Sequence, residues 1–146
     1  MALPGERPDM AAVTRFDRSA VTVVLVVVDL AIITAQLSAG LVVHGTDPLA
    51  TPLYTAETVV PFLLGWLLVA PLLGVYTARI RESLVETALA VGFAWIVAAL
   101  IGVGLRATPW LVGGAPPAFV LVTVGTGLAT LLPWRLLVTA LTRTRE

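Results

Sequence analysis

Residues 20–43 read AVTVVLVVVDLAIITAQLSAGLVV, and three further stretches of the same kind follow. TVVPFLLGWLLVAPLLGVY covers 58–76, SLVETALAVGFAWIVAALIGVGL covers 83–105, and PAFVLVTVGTGLATLLPWRLLVTAL covers 117–141. A helix of roughly 20 apolar residues crosses the ~30 Å hydrocarbon core of a bilayer. In lipid every backbone N–H and C=O must be satisfied internally, which leaves helices or a closed barrel. Barrel strands would alternate in polarity over about ten residues. These runs are longer and apolar on all sides, so they predict helices. The expected fold is all-α, a four-transmembrane-helix bundle over 19–142, with short tails at 1–18 and 143–146.

Working outward, the composition agrees. Of the 146 residues 58% are hydrophobic and 12% charged, with a mean hydropathy of +0.98. Soluble domains average about 45–50% apolar and about 25% charged. The formal net charge is zero, so no overall field attracts nucleic acid. There is no cysteine, which excludes disulfides and thiolate chemistry. The first apolar run is too long for a cleaved leader and contains Asp29.

Arginine placement predicts orientation. Arg7, Arg15 and Arg18 precede the first span, Arg79 and Arg81 lie between the second and third, and Arg135, Arg143 and Arg145 close the fourth. The other two loops hold Arg106 alone. The rule therefore predicts a cell-membrane protein with both termini cytoplasmic. An ungapped offset of 62 residues aligns Gly40 with Gly102, Gly65 with Gly127, Pro71 with Pro133 and Arg81 with Arg143. That is either a parallel two-helix duplication or the self-matching of a sequence rich in Leu, Val, Ala and Gly.

Small residues mark close helix contacts in lipid. Ala90, Ala94, Ala98 and Gly102 form such a ladder in the third span. Pro71 and Pro133 are expected to bend their helices. Tyr54, Tyr76, Trp110 and Trp134 fit the two membrane interfaces, whereas Trp66 and Trp95 lie deeper and read as packing residues.

Asp29 is the sharpest signal. It lies about 13 Å inside the first span at ~1.5 Å per residue, where a bare carboxylate costs about 2.5–3.5 kcal/mol or more. Thr22, Asp29 and Gln36 recur every seven residues and share one helix face. By depth, Arg135 is the candidate cation and Glu86 a candidate neighbour. Asp29, Gln36, Glu86 and Arg135 form the expected intramembrane polar cluster, either a proton or ion relay or a structural pair that fixes helix register. A second expected cluster, at the outer face, comprises His44, Asp47, Glu57 and Arg106, with Arg106 held by Glu57 or Asp47.

An enzyme is not expected. One histidine excludes histidine-rich metal sites, and there is no phosphate loop, HExxH or nucleophile–base motif. No cofactor is implied. The partners implied are the lipid bilayer and, because four helices enclose little space, a homo-oligomer or another membrane protein.

Several segments resemble a prokaryotic family of small membrane proteins catalogued as a domain of unknown function. They are HGTDPLATP at 44–52, AETVVPFLLGW at 56–66, LRATP at 105–109, GGAPPAF at 113–119 and LLPWR at 131–135. The resemblance spans roughly 17–137 and implies a four-helix membrane fold, with no activity or ligand. It draws attention to Pro61, Trp66, Arg106, Pro117, Trp134 and Arg135. The leading functional reading is an ion, proton or small-solute permeation component. The alternative is a non-transporting accessory or scaffold subunit.

Overall fold

The computed structural model describes residues 19–144. The tail at 1–18, with Arg7, Arg15 and Arg18, and Arg145 at the other end lie outside the described residues. Four helices follow in order: α1 (Ala20–Val43), α2 (Pro52–Leu72), α3 (Leu84–Arg106) and α4 (Pro117–Arg143), with a short 3-10 turn at Arg79–Glu82 before α3. All four are long and apolar enough to cross a membrane. Among the described residues there is no strand.

Local sequence signals set the helix ends. The Ser19 hydroxyl accepts from Thr22 N–H at 3.3 Å and caps α1. Ser83 does the same for α3, accepting from Glu86 N–H at 3.3 Å. α1 and α2 end alike. Gly45 takes φ +80° and Gly74 φ +70°, and the following residue's N–H turns back, Thr46 to Leu41 O and Val75 to Ala70 O. This is the Schellman closure, which needs a left-handed residue that glycine supplies without strain.

The second span is displaced from its expected position. It was expected over 58–76 but occupies Pro52–Leu72. Pro52 presets the first helical turn, and Gly74 stops the helix before Tyr76. The first turns of α2, which read as loop by hydropathy, are therefore helical. The proposed duplication meets a difference here, because α2 ends just past Pro71 whereas α4 runs through Pro133 to Arg143.

The helices form a ring. α2 against α3 is the most extensive pairing, α3 against α4 the next, and α1 closes the ring through more modest contacts with α2 and α4. The expected small-residue ladder lies in the main seam, with Ala94, Ala98 and Gly102 fully buried. A Cβ at Gly65 of α2 would sit 2.5 Å from the Ala98 carbonyl oxygen, and one at Gly102 would sit 2.5 Å from the Phe62 ring. The centre is filled by Phe62, Trp66, Trp95, Ile33 and Leu131, all without exposed surface. The Trp66 and Trp95 rings pack at 6.3 Å between centroids, and Trp95 Nε1–H donates to Val124 O at 3.1 Å. Trp95 thus acts as a packing residue with its polar atom satisfied, and the Trp66 ring packs beside it.

Candidate functional site

The buried polar centre begins with the turn after α2. Gly74 reverses the chain so that Val75 and Tyr76 point into the bundle, both with no exposed surface. Two helices meet them at matching depth. Asp29 lies nine residues from the start of α1, and Arg135 lies eight from the end of α4. At ~1.5 Å per residue both sit about 12–13 Å from the end of the bundle that carries the termini. The glycine turn presents the Val75 carbonyl to the Arg135 guanidinium.

The geometry is compact. Arg135 Nη1 donates to Asp29 Oδ2 at 3.1 Å, and Nη2 donates to Val75 O at 2.6 Å. Tyr76 Oη–H donates to the same Asp29 oxygen at 2.8 Å and accepts from Trp66 Nε1–H at 2.8 Å. The Arg135 guanidinium carbon also lies 5.2 Å from the Tyr76 ring centroid. Asp29 is 0% exposed and Arg135 2%. One carboxylate thus ties α1 to α4 directly, and to α2 through Tyr76 and Trp66. Charge-assisted bonds of this kind are roughly twice as strong as neutral ones. In a dry site the pair also cancels the charge that would otherwise stand in oil.

Two atoms at the centre are less well served. Asp29 Oδ1 and Trp134 Nε1–H have no well-formed hydrogen bond, although the Trp134 indole neighbours the carboxylate.

The expected inner cluster of four is therefore two. Asp29 and Arg135 meet. Glu86 does not join them: it sits in the first turn of α3, partly exposed, and faces the exposed Arg79 at 3.8 Å. The reason is local, since the Ser83 cap fixes that turn beside the Arg79–Glu82 connection rather than toward α1. Gln36 lies two turns farther along α1, where its Oε1 accepts weakly from Thr130 at 3.4 Å and its Nε2 is buried without a partner. The outer cluster does not assemble either. His44 is exposed at the end of α1. Asp47 turns back on its own loop, Oδ1 accepting from Leu49 N–H at 2.9 Å. Glu57 is half-buried at the start of α2, and Arg106 is buried without an ion pair among the described residues.

Tyr76 and Trp66 were missed as members of the centre. Tyr76 was expected at the inner interface; it is instead fully buried, because its hydroxyl has a carboxylate to bond. The readable signal was Gly74, two residues before a tyrosine at the end of an apolar run. Tyr76→Phe should cost about 1–2 kcal/mol, since it removes a donor from Asp29 and leaves Trp66 Nε1–H without its acceptor. Equilibrium unfolding in detergent, followed by tryptophan fluorescence, measures this; a variant as stable as wild type would mean that the hydroxyl bonds contribute nothing.

Beyond this centre the bundle carries apolar grooves. One of about 500 Å³ lies between the far ends of α2 and α3, lined by Ala56, Val60, Leu64, Leu105 and Trp110. Another of about 350 Å³ lies between α1 and α4, lined by Val21, Val24, Trp134 and Val138. Both are almost wholly apolar. Among the described residues no group of acidic and histidine side chains is arranged to hold a metal.

Residues 26–138 match the family described as proteins of unknown function, DUF3054. No curated protein and no solved structure matches the chain.

Proposed function

The chain belongs to the DUF3054 family, and from that premise we propose that it is a small multi-pass protein of the cell membrane, termini cytoplasmic, that serves as a non-conducting subunit packed against another membrane protein or a second copy. The observation that carries this reading is the closed interior. Phe62, Trp66, Trp95, Ile33 and Leu131 fill the centre, and Asp29 and Arg135 are paired and buried. A permeation path needs polar groups open to water at some stage; the two charged groups at the centre are already committed to each other. The lipid-facing side supplies what a subunit needs. Gly125 and Ala129 lie on the exposed surface of α4 one turn apart, with open space around Gly125. Small residues at that spacing let another helix approach closely.

One observation favours the rival reading, in which the Thr22–Asp29–Gln36 stripe carries protons. Asp29 Oδ1 and Gln36 Nε2 both lack a hydrogen-bond partner, so two polar stations along one helix face stand ready for a transient water. Proteoliposomes carrying a pH-sensitive dye separate the readings. The subunit reading expects proton flux equal to that of protein-free vesicles, for wild type and Asp29→Asn alike. It also expects cross-linking in native membranes to trap a discrete heavier species, lost on Gly125→Leu. Flux that depends on Asp29 would establish the relay and end the subunit proposal.

A further inference from the structure

The end of the bundle away from the termini holds a second buried arginine that the centre around Asp29 does not use. Arg106 closes α3 and is 4% exposed. Its guanidinium carbon lies 4.9 Å from the Phe119 ring centroid, and its Nη2 lies against Gly113, where any Cβ would collide with it. Nε and Nη1 are buried without a hydrogen-bond partner. Among the described residues no carboxylate forms an ion pair with this group. A desolvated cation without an acceptor is costly. Stacking on Phe119 offsets part of that cost but satisfies none of the N–H groups. Position at the C-terminal turn of α3 is favourable for a cation, yet no α3 carbonyl accepts from it.

What faces Arg106 is a second electropositive feature. Phe119 is the third residue of α4, a helix that starts at Pro116-Pro117 with no side-chain cap. The two prolines carry no N–H, and the first return bond runs from Val120 N–H to Pro116 O. The N–H groups of Ala118 and Phe119 are thus left at the positive end of a long helix, an arrangement suited to an anion. Gly113, at φ +115°, lets the connection between α3 and α4 pass close over the guanidinium. Because Arg106 ends a 23-residue spanning helix, it stands at the depth of lipid headgroups.

We propose that Arg106, the Gly113 turn and the first turn of α4 form a binding site for a phosphate group. A planar guanidinium offers paired donors matched to phosphate oxygens, and the helix terminus adds donors of the same sign. The phosphate comes either from a phospholipid headgroup or from an anion free in solution.

Native mass spectrometry of the full chain in non-ionic, phosphate-free detergent tests this. The probes are phosphatidylglycerol, diacylglycerol with the same chains but no phosphate, and inorganic phosphate; the last is also read as a shift in thermal unfolding. The proposal expects a phosphate-bearing probe to bind at least about tenfold more tightly than diacylglycerol. That preference should vanish in Arg106→Gln, persist in part in Arg106→Lys, and survive intact in Arg79→Gln at the other end of the bundle. Phosphatidylglycerol binding without an effect of inorganic phosphate assigns the lipid as source; Arg106-dependent stabilisation by inorganic phosphate assigns the free anion. If Arg106→Gln does not fold, the comparison rests on wild type and Arg106→Lys. Equal retention of phosphatidylglycerol and diacylglycerol with no effect of inorganic phosphate, or a preference unchanged by Arg106→Lys, overturns the site. So would strong energetic coupling between Arg106 and Glu57, which would make Glu57 the missing anion.

Discussion

Asp29→Ala should lower the stability of the bundle by about 3–5 kcal/mol, the usual cost of leaving one member of a buried pair alone. The substitution strands the Arg135 guanidinium, 2% exposed, with only the Val75 carbonyl as acceptor. It also takes the acceptor from Tyr76 Oη–H. The double variant Asp29→Leu with Arg135→Met should recover most of the loss, because apolar residues of similar volume need no partner in oil. Reversible unfolding in mixed micelles, read through Trp66 and Trp95 fluorescence, gives the three-way comparison. Recovery in the double variant separates a cost due to stranded charge from one due to lost shape. A single variant that unfolds like wild type would show that the pair does not hold α1 to α4.

The second large effect is expected at Gly65. An added Cβ lies 2.5 Å from the Ala98 backbone oxygen, and a backbone atom cannot turn aside as a flexible side chain can. Gly65→Ala should therefore force α2 and α3 apart and cost about 3 kcal/mol, the upper end for overpacking. Gly104→Ala is the matched control. Gly104 is a helical glycine of α3 with nothing within reach of an added Cβ, and alanine there should stabilise by about 0.5–1 kcal/mol. The same unfolding assay reads both. Equal effects of the two substitutions would mean that helix propensity, not the close approach of α2 and α3, decides the outcome.

The spans were readable because the cost of an unsatisfied peptide group in hydrocarbon leaves few choices. Residues 20–43 mark α1 without further information. Half of the polar centre was readable for a related reason. A carboxylate deep in an apolar helix needs a partner, and arithmetic on rise per residue points to Arg135. Glu86 was drawn in by the same depth argument and fails, because depth fixes height along the bundle and not the direction a side chain faces. The Ser83 cap and Arg79 set that direction. Tyr76 was hidden because hydropathy carries α2 through it. The chain reverses earlier, at Gly74, where one backbone angle matters more than the apolar count. The outer cluster assumed that charges near one membrane face would find each other. Asp47 prefers its own loop N–H, and Arg106 folds inward beneath Gly113 instead.

The link between Asp29 and Arg135 joins residues 106 apart, the first described helix to the last. Ribosomes deliver the chain from its N-terminus, so α1 meets the lipid long before α4 exists. Until α4 emerges, the aspartate lacks Arg135, and neither Tyr76 nor Trp66 can supply the missing positive charge. Until then α1 carries the cost of a lone carboxyl group, about 2.5–3.5 kcal/mol, which water, the insertion machinery or a bound proton can offset. Arrival of α4 and closure of the ring become one event, and a chain cut short before α4 carries a built-in mark of what it lacks.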